Sequence, residues 1–159
     1  MALRNIVLEN DPLLRKTSRP VDEITPRIIK LLDDMAETMY YDNRGIGLAA
    51  PQVGVLRRVF VIDVGDDHGL LEFINPEIIE ADGEQEYQEG CLSVPGKTAK
   101  VCRPAKVKIK AQNRNGEEFE LEADGLLAVC ICHENDHLNG ILFTDKAVDG
   151  KIYYAEEEE

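Results

Sequence analysis

The sequence predicts an α+β protein: antiparallel or mixed β-sheets around a central helix, with a second helix near the N-terminus. Three observations carry this. An amphipathic helix comes first, a series of β-branched or alternating segments follows, and a second helix closes the order. The strands are not interleaved one by one with helices, so an alternating parallel sheet is excluded. A chain of 159 residues is also the size of one domain.

Each element has a local reason. Thr25 is placed to cap a helix over 25–41, and Pro26 suits its first position. Ile28, Ile29, Leu32, Met35, Ala36 and Met39 recur at helical spacing as one apolar stripe. The run 42–45, Asp-Asn-Arg-Gly, ends it. Residues 58–64 are rich in β-branched side chains between turn formers and predict a strand. Another is expected over 70–74, stopped by Asn75 and Pro76. Residues 107–112 alternate as a half-buried strand does, and 113–116 turn the chain into a hairpin partner over 118–121. Asp124 is placed to cap a helix over 125–138 that Asn139 and Gly140 close. Residues 1–150 form the expected domain, and 151–159 a short acidic tail whose last four glutamates are expected to fray.

Composition narrows the function. There are 18 Lys+Arg against 31 Asp+Glu, a formal charge of −13. An acidic surface disfavours wrapping nucleic acid or binding anionic membrane, since both want a basic face. No segment reads as a signal peptide or as the ~20 apolar residues of a membrane span. A cytoplasmic monomer with reduced cysteines is expected, so Cys91, Cys102, Cys130 and Cys132 are free for packing, metal or catalysis.

The second helix carries the chemistry. Residues 133–137 read His-Glu-Asn-Asp-His. Residues four apart lie about 40° apart on a helix, so His133 and His137 share one face. Glu134 lies close enough to reach a water between them. Two imidazoles with an adjacent glutamate are the pattern of a hydrolytic metal site. Such sites usually take a third protein ligand. The longer metallopeptidase signature would need a third histidine where this chain has Phe143, and His68 has no supporting context. Cys130 is seven residues from His137, about 10 Å along the axis, too far to share its ion. Cys132 faces elsewhere and Cys102 lacks a companion ligand. Cys91 is left, beside Gly90. A free cysteine is more often a small buried hydrophobe, so ligation and packing both stay open on the residues alone.

Three segments in order sharpen this. Residues 45–52 (Gly-Ile-Gly-Leu-Ala-Ala-Pro-Gln), 89–93 (Glu-Gly-Cys-Leu-Ser) and 133–137 resemble the three signature motifs of bacterial peptide deformylases. The likeness runs from about Asp11 through Phe143. It implies that Cys91, His133 and His137 hold one divalent ion, Fe²⁺ in the native form, with Zn²⁺, Ni²⁺ or Co²⁺ as substitutes. It implies Glu134 as general base and acid in hydrolysis of an N-formylmethionyl nascent peptide, with Gln52 and the Leu92 N–H as oxyanion donors. Ile46, Gly47, Glu89, Gly90, Leu126, Val129 and Cys130 would bind substrate. Leu126, Val129, Cys130 and His133 also fall on one helical stripe, which core packing explains equally well. Asp136 is expected to pair with Arg103 behind the ligands.

The glycines at 45 and 47 do not make a dinucleotide fingerprint, because that motif follows a strand and opens a helix. Two alternatives stand beside the deformylase: a metallopeptidase, and a structural metal domain with a fourth cysteine. The latter would not need Glu134. Two departures matter. Cys132 replaces the glutamine usual before the first histidine, and the acidic tail replaces the long C-terminal helix of many relatives, which argues against ribosome contact. A thiol at 132 near an oxidisable site predicts oxygen-sensitive activity. Aerobic purification should lower both activity and thiol count relative to anaerobic purification, and equal values would contradict this.

Overall fold

The computed structural model describes residues 2–42 and 45–155. The acidic run 156–159, expected to fray, and two residues of the expected helix stop lie outside the described residues. The helices are α1 (Pro26–Tyr41) and α2 (Gly125–Leu138). The strands are β1 (Gly47–Ala49), β2 (Val59–Ile62), β3 (Leu71–Asp82), β4 (Gln85–Cys91), β5 (Val94–Arg103), β6 (Lys106–Gln112), β7 (Glu118–Asp124) and β8 (Tyr153–Tyr154). They form a five-stranded sheet in the order β1-β2-β3-β6-β7 and a three-stranded sheet in the order β4-β5-β8. All strand pairs are antiparallel. The α+β prediction therefore holds, with both helices where the sequence puts them.

The larger sheet is covered on both faces, and β2 shows why. Its four residues, Val-Phe-Val-Ile, are all buried. Side chains alternate across a strand. Phe60 and Ile62 face α2 with Phe73, Ile109, Leu127 and Ile131. Val59 and Val61 face α1 with Leu32, Met35, Met39 and Leu48. A strand buried on both sides reads as a continuous apolar run. A third cluster of Leu14, Val94, Ala99, Val101, Leu142 and Phe143 lies against the smaller sheet.

The structure corrects one boundary. β3 does not stop at Asn75 and Pro76 but continues to Asp82. Register shifts between Ile74 and Glu77, so the proline, which has no N–H for the ladder, sits at a bulge. Asn75 is left-handed there, with φ 52°, a conformation that asparagine tolerates. Its side chain replaces the lost pairing. Oδ1 accepts the Val21 N–H at 2.8 Å, and Nδ2 donates to Val21 O at 2.8 Å and to Gln112 Oε1 at 3.1 Å. β4 and β5 were not predicted as a pair. Their outer residues are charged and exposed, so the alternation that marks a half-buried strand is faint.

The N-terminal segment is pinned to α1 through one buried carboxylate. Asp34, 1% exposed, accepts from the Ala2 N–H at 2.8 Å, from Arg4 Nε at 3.0 Å and from Lys30 Nζ at 3.2 Å. Burial alone would raise its pKa. Arg4, the Ala2 N–H and Lys30 outweigh that and hold the carboxyl below its usual range. A carboxylate with a depressed folded pKa stabilises the protein above its unfolded pKa and loses that contribution as pH falls through the folded value. Asp34→Asn should therefore cost about 2 kcal/mol at pH 7. Denaturant melts at stepped pH should show the gap between wild type and variant closing below about pH 4; a constant gap would refute the pairing.

Candidate metal centre and substrate cleft

α2 is buried on almost every side, and His133, Glu134, Asp136 and His137 are all 9% exposed or less. A polar tetrad in such a place needs partners. Cys91 supplies one. It stands at the end of β4, where the chain doubles back into β5 through a tight turn pairing Cys91 with Val94. Its Sγ lies 3.4 Å from His137 Nε2. Ligand atoms of Cys91, His133 and His137 all fall within 4.8 Å of one another. Two such ligands on one tetrahedral ion would stand about 3.6 Å apart, given metal–sulfur and metal–nitrogen bonds of about 2.3 and 2.0 Å. The three residues thus fit a metal ion. The Cys91 sulfur meets the His137 imidazole and the Gln52 amide, while the residue also packs against the apolar cluster under the smaller sheet.

The charges around the triad favour a cation. Glu89, 4% exposed, accepts from His133 Nδ1 at 2.8 Å and takes two bonds from Arg103, Nε at 2.8 Å and Nη2 at 2.9 Å. Burial would raise the Glu89 pKa, but Arg103 and His133 pull it below the usual range. Arg103 Nη1 also donates to Asp136 Oδ2 at 2.6 Å. Lys146 Nζ joins Asp136 at 2.9 Å. Burial lowers the pKa of both imidazoles. His137 stays well below the ordinary value, yet His133 is lifted well above it by Glu134, Cys91 and Glu89. The pocket therefore attracts positive charge at the point where the ligands meet. A metal taking that place displaces the proton.

Glu134 is the isolated acid. Burial pushes its pKa up to about 7, and its Oε1 has no hydrogen-bond partner. Gly47 on β1 faces it so closely that a Cβ there would lie 2.6 Å from Oε2 and 3.1 Å from Cδ. Only glycine leaves room for that carboxylate. Gln52 ends the segment after β1. Its Nε2 lies 3.4 Å from Cys91 Sγ and 3.1 Å from Ser93 Oγ.

These groups sit on a cleft of about 450 Å³, which is also lined by Ile46, Gly47, Glu89, Gly90, Leu92, Leu126, Val129 and Cys130. Every substrate-binding residue expected from the sequence is on it. Cys132 is not. It packs in the core with Phe60, Phe73 and Ile131, and burial pushes its thiol up to about 11, which makes it a poor nucleophile. His68 pairs with Asp66 on an exposed loop. Sequence reasoning missed Ser93, Lys146 and the outer cleft residues Tyr87, Gln88, Lys97, Thr98 and Ala155. Ser93 stood inside a recognised motif without a role. Lys146 carried no local signal, because its partner lies on another element.

A buried glutamate beside a Cys–His–His triad, open to a substrate-sized cleft, defines a metal-dependent hydrolase. Comparison with known proteins makes the assignment specific. The family model "Polypeptide deformylase" matches residues 3–152. A peptide deformylase of Acetivibrio thermocellus is 62% identical over 148 residues, 93% of this chain and 85% of that protein. One of Agathobacter rectalis is 56% identical over 96% of this chain and 94% of its own length. The crystal structure of a Legionella pneumophila peptide deformylase superposes with a TM-score of 0.88 at 48% identity, covering 92% of this chain and 87% of that one. That of Thermotoga maritima gives 0.89 at 42% identity, covering 93% and 99%. The chain belongs to the polypeptide deformylase family.

The Gly47 contact gives a direct test. Gly47→Ala should keep the metal, because none of the three ligands moves, yet lower kcat about a hundredfold by displacing Glu134. Metal analysis with steady-state kinetics checks this; a fully active variant would show that the close approach is unimportant.

Proposed function

We propose that this enzyme removes the formyl group from the N-terminal formylmethionine of newly made polypeptides and releases formate. The observation that carries the reading is Glu134: a buried carboxyl of raised pKa whose Oε1 has no hydrogen-bond partner, one residue from His133 and closely approached by Gly47. A structural metal site does not need such a group. Among the described residues, no further cysteine joins Cys91, His133 and His137 within ligand distance.

The roles follow from position. Cys91, His133 and His137 hold the ion. Mixed thiolate and imidazole ligands suit Fe²⁺ as the native metal, and Zn²⁺, Ni²⁺ or Co²⁺ as substitutes. When bound, the ion supplies Lewis acidity, polarising the formyl carbonyl and acidifying the attacking water. Glu134 takes a proton from that water and delivers it to the leaving amine. Gln52 Nε2 and the Leu92 N–H donate to the carbonyl oxygen as negative charge develops on it. The methionine side chain packs against Ile46, Leu126, Val129 and Cys130, apolar residues that line the cleft. The peptide backbone lies beside Ile46, Gly47 and Gly90, where extended chain adds to strand edges. Arg103 and Asp136 keep His133 oriented through Glu89.

The same reading makes formylated nascent chains the partners of a cytoplasmic monomer. The acid excess supports the absence of direct nucleic-acid contact. Among the described residues no helix is long and apolar enough to cross a membrane.

Protein purified anaerobically and loaded with iron should release formate from a formyl-Met peptide and leave the acetyl-Met counterpart intact; no formate would defeat the assignment. Glu134→Ala should retain the metal and lose at least about a thousandfold in kcat. A base works only when ionised, so kcat/KM should rise with pH along an acidic limb. Burial sets Glu134 near 7, and an adjacent cation lowers that value, so the limb should flatten below pH 7 and vanish in Glu134→Ala.

A further inference from the structure

We infer that Ser93 is a positioning residue for the reaction: its hydroxyl fixes the Gln52 carboxamide so that one N–H points at the substrate oxygen. This rests on the reading of Gln52 as an oxyanion donor and goes one residue behind it. A glutamine side chain has a donor end and an acceptor end. Turned the wrong way, it would place an oxygen against the developing oxyanion and oppose the reaction. Two bonds set its direction. The Ala49 N–H, which can only donate, meets Gln52 Oε1 at 3.0 Å. Gln52 Nε2 donates to Ser93 Oγ at 3.1 Å. The first bond decides which end is which, and the second fixes the plane. With one amide hydrogen engaged by Ser93, the other is directed to the ligand side, where Nε2 donates to Cys91 Sγ at 3.4 Å, a weak acceptor that a substrate oxygen can replace.

No solvent replaces this contact. Gln52 is 1% exposed and Ser93 0%. Deleting the hydroxyl leaves a buried N–H without its oxygen acceptor and leaves the carboxamide held only by the Ala49 N–H and the weaker contact with the Cys91 sulfur. The serine is itself held from behind. The N-terminal segment donates from the Glu9 N–H to Ser93 O at 2.8 Å and from the Val7 N–H to Gln52 O at 2.7 Å. The distance between hydroxyl and amide is therefore set by main chain on both sides.

The test is a double-mutant cycle on metal-loaded protein with Ser93→Ala, Gln52→Ala and both together. Bound metal, thermal midpoint, kcat and KM are read for each. Gln52→Ala should lower kcat about a hundredfold, as loss of one oxyanion donor does. Ser93→Ala should keep metal and fold, and lower kcat about tenfold with little change in KM. The double variant should be no slower than Gln52→Ala, because Ser93 acts only through the amide. Losses that multiply, a Ser93→Ala protein with wild-type kcat, or one that loses metal or fold overturns the inference. A Gln52→Ala protein of wild-type kcat defeats the oxyanion reading, and the inference with it. A second readout needs no turnover. In the zinc-loaded protein, the Gln52 side-chain amide should show one protected hydrogen by NMR, and Ser93→Ala should abolish that protection while leaving the backbone amides of 47–53 unchanged.

Discussion

The buried grip of Arg103 on Glu89 is the interaction on which the site depends. It joins β5 to β4 and, through Glu89, reaches His133 on α2. The same guanidinium holds Asp136 one turn further along that helix. One side chain thus sets the spacing between the smaller sheet, which carries Cys91, and the helix that carries the two histidines. Such a network is not kept for stability alone. A well-packed apolar replacement is often as stable, whereas removing one partner typically costs 3–5 kcal/mol by stranding buried charge. Its value lies in geometry: a ligating imidazole needs its other nitrogen fixed, and Glu89 fixes it.

Topology explains why three separated segments can meet. Antiparallel pairing brings β1 to the edge of the larger sheet beside α2. Gly47 then lies against Glu134, and Gln52 is carried to the turn at Cys91. The smaller sheet closes from the other side. In the proposed roles, motif one supplies room and a donor, motif two a ligand and a turn, and motif three two ligands and a base. The N-terminal segment ties the first two together through its own N–H groups. None of the segments holds the arrangement alone, which is why so short a chain devotes so much of itself to one cleft.

Much of this was legible in the sequence, for physical reasons. Helix α1 announced itself by its stripe and its proline, and α2 by a register that put His133 and His137 on one face. Those are local properties. Cys91 was reachable only by elimination and by likeness, because ligation across sheets leaves no spacing rule in the chain. β4 and β5 were missed as a pair because exposed charged residues blur the alternation. The run through Asn75 and Pro76 read as a stop because the compensating bonds to Val21 and Gln112 come from distant segments. Ser93 and Lys146 belong to the same category: their roles are relations between elements.

The charge balance of the site connects the acidic composition to the chemistry. Glu89, Glu134 and Asp136 bring three buried carboxyl groups to one end of α2, and Arg103 and Lys146 are set against them. A divalent cation would suit so acidic a surrounding, since bound ions are often the largest local charges in a site. Burial pushes the Glu134 pKa up to about 7, and Glu134, Cys91 and Glu89 lift His133 well above its ordinary value against the penalty of its burial. A metal held by Cys91, His133 and His137 would compete with protons for those ligands, which would tie its affinity to pH. Its charge would also favour the ionised form of Glu134 that the proposed base role requires. The buried acids that are costly on their own are the groups that would make a metal-bearing cleft reactive.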